Sequence, residues 1–223
     1  EIMPSLVGSE MCIRDRRWLM KTVLIHGLGQ DASAWKDVIP LLPDKNVLTM
    51  DLSELIGSGT WQELSNGFAA RIDSLEEPMC LCGISLGAVL ALDYAAGNPG
   101  KVRSMLLIAP QYKMPVLLLK FQALLFRLMP QSSFAESGLS KKQFIALTTD
   151  MARLDFTQAL NNITCPVITA CGERDSANSR ASRSLAELLD CGEFAEIPGA
   201  GHEANTDAPE FTAQLITRIQ ERG

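Results

Sequence analysis

Three short segments hold the residue types from which a nucleophilic site could be built. Gly83-Ile84-Ser85-Leu86-Gly87 sets a serine between two glycines, after the apolar run Met79-Cys80-Leu81-Cys82 and before Ala88-Val89-Leu90-Ala91-Leu92. This is G-x-S-x-G in the strand–turn–helix context that gives the motif meaning. A sharp turn there lifts the serine hydroxyl above a sheet, and side chains at 83 or 87 would collide with the neighbouring strand and helix. A hydroxyl is a weak nucleophile and needs a base, which in turn needs an orienting acid. The chain has two histidines, His26 and His202. His202 closes Pro198-Gly199-Ala200-Gly201-His202, just after the apolar stretch 193–197, and Asp175 closes Gly172-Glu173-Arg174-Asp175. The order Ser85, Asp175, His202 places all three at the carboxyl ends of parallel strands, where open α/β sheets build their sites.

The elements that must position these residues are legible as alternating patterns. Apolar runs rich in Val, Ile and Leu occur at 22–26, 47–50, 79–84, 102–109 and 166–171, with a weaker one at 193–197. Helical patterns fall at 34–42, 61–75, 86–97, 178–190 and 207–221. Strands that are apolar throughout belong to a sheet buried on both faces. The alternation therefore predicts a doubly wound, mainly parallel α/β sheet of about six strands with helices on both faces. Residues 110–162 lack a convincing strand and read as a helical insertion between the fourth and fifth strands. Within it, Val116 to Met129 should be one helix ending before Pro130. Its broad apolar face is Leu117, Leu118, Phe121, Leu124, Leu125 and Leu128, and Lys120 and Arg127 mark the solvent side. The expectation is that this helix roofs the Ser85 pocket, with Leu117, Phe121 and Leu124 against an apolar acyl or aryl substrate. A basic amphipathic helix on a membrane surface or a dimer partner is the alternative. Residues 1–19 show no useful periodicity, and Met20 opens a clean strand, so 1–19 are expected to be a non-native or disordered leader to a domain spanning 20–223.

Composition narrows the class. The 223 residues carry a net charge of -6, which argues against a nucleic-acid partner. No apolar run approaches the ~20 residues needed to cross a bilayer, so stable membrane insertion is not expected. Cysteines at 12, 80, 82, 165, 171 and 191 lack the spacing of a zinc or redox site. Buried small side chains in a reducing cytoplasm are the simplest reading. Oligomeric state is not legible.

Taken together, His26-Gly27-Leu28-Gly29, GISLG, GERD and GAGH, in this order, resemble the α/β-hydrolase superfamily over about 20–222. The resemblance implies that Ser85 is the nucleophile, His202 the general base and acid, and Asp175 the orienting carboxylate. It also implies an oxyanion hole from the backbone N–H groups of Leu28 and Leu86, a cap in the place of the insertion, and a structural role for His26. The implied activity is hydrolysis of a small carboxylic ester or thioester through an acyl-enzyme, with no cofactor and no metal. An acidic limb in the pH profile near ~6.5 follows from a histidine base. Two departures stand out: nothing before residue 20 supplies the opening hairpin of the usual eight-stranded sheet, and HGLG replaces the HGGG of one esterase branch.

Two other classes compete. Gly27-Leu28-Gly29-Gln30-Asp31-Ala32 with Asp51 also fits a dinucleotide-binding fingerprint, which would make the protein an NAD-dependent oxidoreductase. That reading leaves GISLG, GERD and GAGH without a purpose, and no Tyr is followed four residues on by Lys. A non-catalytic module that uses the same pocket to sense a ligand is the second competitor.

Overall fold

A computed structural model describes residues 20–75, 78–131, 134 and 139–223; within 116–128 it does not describe the side chains of 117, 118 and 120–122. The expected leader, 1–19, lies outside the described residues. Six strands form one sheet: β1 (Lys21–Ile25), β2 (Val47–Met50), β3 (Met79–Ile84), β4 (Val102–Ile108), β5 (Val167–Gly172) and β6 (Gly192–Ile197). The order is β2-β1-β3-β4-β5-β6, and every pairing is parallel. The chain runs outward from β1 to β2, returns to β3 on the other side of β1, and then proceeds to β6. The β1/β3 boundary is thus the topological switch point, where the strand ends leave a crevice.

Burial on both faces explains the uninterrupted apolar strands, since β3 and β5 are buried at every residue. One core packs Val23, Ile25, Leu81 and Leu107 against helices α1 (Trp61–Asp73), α2 (Leu86–Gly97) and α5 (Ser176–Leu188). The other packs Leu24, Cys80, Cys82, Leu106 and Ile168 against Trp35 and the last helix. Cys80 and Cys82 share that face, fully buried, with their sulfurs 3.7 Å apart.

One helical expectation is corrected. Residues 34–42 do not form an α-helix but two short 3₁₀ turns, Ala32–Trp35 and Ile39–Leu41. Pro40 has no N–H to return a bond to the fourth residue before it, so the turn cannot propagate. The helix expected over 207–221 is present as α7 (Pro209–Gln220), preceded by a single turn, α6 (Ala204–Asp207), with proline in the first turn of α7 where its missing donor costs nothing.

The insertion carries α3 (Val116–Leu128) and α4 (Lys141–Met151). α4 opens on a capping box between Ser140 and Gln143. The two stems of the insertion meet at an isolated antiparallel bridge, Lys113↔Asp155. There Met114 N–H donates to the Leu154 carbonyl and Phe156 N–H to the Tyr112 carbonyl, at 3.1 and 2.8 Å. The packed face of α3 also differs from expectation. Ala123 is buried and Leu119 and Phe126 pack on the core, whereas Leu124, Leu125 and Leu128 are 50%, 43% and 77% exposed. Phe126, Phe134 and Phe144 form a ring cluster with centroids 5.0–5.7 Å apart. Among the described residues, no helix is long and apolar enough to cross a membrane.

Candidate active site

Ser85 sits between β3 and α2 with φ 52° and ψ −114°, one of two described non-glycine residues at positive φ. Such a conformation costs of order 1–3 kcal/mol and persists only where the surroundings force it. The surroundings are backbone. Ser85 N–H donates to the Ile108 carbonyl at 2.8 Å, anchoring the turn to β4. A Cβ on Gly83 would overlap the Gly87 carbonyl, and one on Gly87 would overlap the Ile25 carbonyl and lie 2.8 Å from that of His26. Glycine at 87 therefore lets the first turn of α2 press onto the end of β1. That contact brings the loop after β1 to the Ser85 turn: a Cβ on Gly27 would lie 3.5 Å from Ser85 Cβ. Leu86 opens α2, so its N–H is among those a helix leaves without an internal partner, and Leu28 lies one residue beyond Gly27.

The loop after β1 is held by side chains. Gln30 Oε1 accepts from Gly27 N–H at 3.0 Å, and Gln30 Nε2 donates to Asn205 Oδ1 at 3.4 Å. Asn205, fully buried, donates in turn to the Ala34 carbonyl at 2.9 Å. His26 is buried with both ring nitrogens engaged. Leu52 N–H donates to Nε2 at 3.0 Å, so the proton sits on Nδ1, which donates to the Gly27 carbonyl at 2.8 Å. This arrangement ties β1 to the chain after β2 and leaves no free nitrogen for proton transfer. The helix required by the dinucleotide fingerprint is also missing, because Ala32–Trp35 is a single 3₁₀ turn.

Asp175 and His202 lie at the same carboxyl end of the sheet, after β5 and β6. Asp175 caps α5, accepting from Asn178 N–H at 3.3 Å, and is 7% exposed. Its Oδ2 accepts from His202 Nδ1 at 2.7 Å. A carboxylate only accepts, so the His202 proton is on Nδ1 and Nε2 is left as the basic nitrogen. Asn178 Nδ2 reaches both Asp175 oxygens at 2.9 Å, and Asn178 Oδ1 accepts from Gln111 Nε2 at 2.7 Å. Burial raises the Asp175 pKa, but hydrogen bonds from His202 and Asn178 outweigh it and hold the carboxyl below its ordinary value. The Asp175 hydrogen bond raises the His202 pKa above its ordinary value; desolvation opposes this, and the charges of Asp175 and Glu203 add to it. The Cys171 thiol, which donates to the Asp175 carbonyl at 3.4 Å, is pushed up to about 11 by burial and the Asp175 charge. It stays protonated and does not compete as a nucleophile.

The structure thus places Leu28, Ser85, Asp175 and His202 in the turns and loops at the carboxyl ends of the strands, with Leu86 the first residue of α2, and joins Asp175 to His202 directly. Leu124 is half exposed on α3, and the Leu117 and Phe121 side chains lie outside the description. Four residues escaped sequence reasoning: Gln30, Gln111, Asn178 and Asn205. Among the described residues, no group of three or more His, Cys, Asp or Glu could hold a metal ion.

Comparison with known proteins extends the picture. Residues 22–215 match the alpha/beta hydrolase family. Over 95 residues the chain is 36% identical to the pimeloyl-[acyl-carrier protein] methyl ester esterase of Neisseria meningitidis serogroup B, covering 40% of this chain and 36% of the relative. The match therefore spans about a third of that relative's length. Among solved structures, a hydrolase from Pseudomonas aeruginosa PA01 superposes with a TM-score of 0.77 at 15% identity, covering 90% of this chain and 89% of the other. The enol-lactonase of Burkholderia xenovorans LB400 gives a TM-score of 0.73 at 17% identity, covering 90% of each. At these identities the solved structures speak to the fold alone.

Proposed function

The chain belongs to the alpha/beta hydrolase family, and from that premise we propose that it is a serine hydrolase cleaving a small carboxylic ester or thioester through an acyl-enzyme. The observation that carries the reading is the His202 Nδ1–Asp175 Oδ2 hydrogen bond at 2.7 Å, on loops at the same carboxyl end of the sheet as a serine in a strained strand–helix turn. Ser85 attacks the carbonyl carbon while His202 Nε2 takes the hydroxyl proton, and Asp175 stabilises the imidazolium without being protonated itself. The N–H groups of Leu28 and Leu86 receive the developing oxyanion; donors of this kind typically contribute ~2.7–4 kcal/mol each to the transition state. His202 then protonates the leaving group and activates the water that releases the acid. The acyl or aryl part lies against α3, with Leu117, Phe121 and Leu124 as its apolar contacts. Polar replacements there should shift chain-length preference and leave labelling of Ser85 by a fluorophosphonate intact.

Mass spectrometry after fluorophosphonate treatment tests the assignment without knowledge of the substrate. An adduct on Ser85, absent from Ser85→Ala, is expected; an unlabelled folded protein would overturn the reading. Turnover of p-nitrophenyl esters at background level, with labelling intact, would instead favour a ligand sensor.

One observation favours a more specific substrate. The insertion, 110–162, carries six Lys and Arg against three Asp and Glu, within a chain of net charge -6. Arg127, Lys141, Lys142 and Arg153 line one cavity of about 710 Å³ there. Such a surface suits an acyl ester presented on an acidic carrier protein, and the Neisseria relative is named for an ester on an acyl carrier. If so, Arg127→Glu with Lys142→Glu should lower kcat/KM for a carrier-borne ester and leave the free methyl ester unaffected. Added salt should act in the same direction. Equal loss on both substrates would argue against carrier docking.

A further inference from the structure

The hydrogen bonds around Asp175 run further than a triad requires. The Asn178 amide nitrogen meets both Asp175 oxygens at 2.9 Å and stands 3.2 Å from His202 Nδ1. That ring nitrogen already donates to Asp175 Oδ2, so both amide protons are committed to the carboxylate. The amide cannot be turned over, since its oxygen would then face a carboxylate and its NH₂ would face the NH₂ of Gln111. Its plane is fixed from behind by Gln111 Nε2 at 2.7 Å. Gln111 follows Ala109 and Pro110 at the end of β4, and Ala109 is the other described non-glycine residue at positive φ (50°), with its N–H held by the Ala170 carbonyl at 2.7 Å. The next residue, Tyr112, begins the paired stems of the insertion.

We infer that Asn178, oriented by Gln111, is a positioning residue that sets the plane of the Asp175 carboxylate, so that the base of the insertion is connected to the acid–base pair through two amide side chains. The inference rests on the hydrolase reading above. The physical reason is that a carboxylate on two rotatable bonds offers either oxygen, or neither, to an imidazole. Two donors from one rigid amide remove that freedom before substrate arrives, which is the preorganisation that catalysis needs. The ionisable groups facing the pair are few. Asp175 and Glu203 act on His202, and His202 and the Cys171 thiol lie against Asp175.

Because the chain has only His26 and His202, imidazole NMR can follow the pair directly and independently of turnover, with buried His26 reporting on the fold. In Asn178→Ala, the His202 titration should fall toward the free-imidazole value, and its Nδ1–H signal should exchange faster with solvent. In Asn178→Asp, which sets a second carboxylate beside the ring, the titration should instead rise. Fluorophosphonate labelling of Ser85 should slow about tenfold in Asn178→Ala and about threefold in Gln111→Ala. The double variant should match Asn178→Ala alone, because Gln111 acts only through Asn178. Substrate turnover should lose kcat rather than gain KM. The inference is overturned if Asn178→Ala leaves the His202 titration and exchange unchanged, or if the two substitutions add independently. Should Asn178→Ala fail to fold, Gln111→Ala carries the same NMR test. Failure of the hydrolase reading looks different: wild-type Ser85 would go unlabelled while the His202 signals still responded to Asn178.

Discussion

The two halves of the candidate site are held in place by different physics. The Ser85 turn is fixed by backbone: Gly83 and Gly87 admit contacts that any side chain would block, and Ser85 is tied by its own N–H to β4. The acid–base half is fixed by side chains, with Asp175, Asn178, Gln111 and His202 bonded in a row. Steric exclusion tolerates no substitution and leaves a contiguous motif. A chain of amides tolerates near-equivalents and leaves no contiguous trace. The first half should therefore fail abruptly when altered, and the second by degrees.

The largest effect should come from removing the proposed nucleophile. Ser85→Ala should lower kcat by on the order of 10⁴ to 10⁶ with the fold retained. A residual rate above a few per cent, measured on any ester the wild type turns over, would remove Ser85 from the chemistry.

The comparison itself is tested by two glycines. Gly83→Ala drives a Cβ into the Gly87 carbonyl inside the sheet–helix contact and should cost about 3 kcal/mol or more in urea unfolding. Gly172 is the point where the acid–base half also relies on glycine, since a Cβ there would overlap the Gly201 carbonyl in the loop that leads to His202. Pro198, Gly199 and His202 of that loop are exposed, so an adjustment there disturbs less of the core than one at Gly83. Gly172→Ala should accordingly lose most activity while losing less stability than Gly83→Ala. Equal destabilisation by the two would erase the distinction.

A pH profile gives the next effect in size. In the proposed mechanism His202 must be neutral to act as base, and its pKa is raised by Asp175, so kcat/KM should fall tenfold per pH unit below a value higher than 6.5. This moves the limb upward from the ordinary histidine value anticipated from sequence. For stability the signs are opposite at the two partners. The raised His202 contributes fully below its unfolded value of about 6.5 and loses that contribution as pH rises through its folded value. The lowered Asp175 contributes above its unfolded value of about 3.9 and loses it as pH falls through its folded value. Thermal melts of wild type against His202→Gln should therefore differ most between about pH 4 and 6.5.

The smallest effect concerns strain. Ser85→Gly removes about 1–3 kcal/mol of backbone cost and adds about 0.5–1 kcal/mol of unfolded-state entropy, for a net gain of about 1 kcal/mol. A melting temperature no higher than that of Ser85→Ala would show that the turn stores little.

The same division governs what could be read beforehand. Strands buried on both faces announce themselves by composition, and the turn at Ser85 by its two glycines. Asn178 was invisible because an asparagine three residues after an N-cap aspartate resembles any helix-surface residue. Its meaning depends on Gln111, 67 positions away. The packed face of α3 was misread for a related reason. Apolar residues surround that helix almost completely, so periodicity could not select Ala123 and Phe126 over Leu124 and Leu128. Residues 34–42 carry the apolar spacing of a helix, and the missing donor of Pro40 decides otherwise.

The paired stems of the insertion have a consequence for how this molecule can vary. Because Tyr112 and Met114 are bonded to Phe156 and Leu154, the sheet meets the intervening segment as a closed hairpin, whatever its length. Closing a longer loop costs only about 0.6 kcal/mol per doubling. A change of length between the stems is therefore cheap in closure entropy, and what limits exchange of the segment is packing: any replacement must still fill the core where Phe144, Leu147 and Met151 sit and supply the acceptor that Asp150 gives to Trp61 N–H.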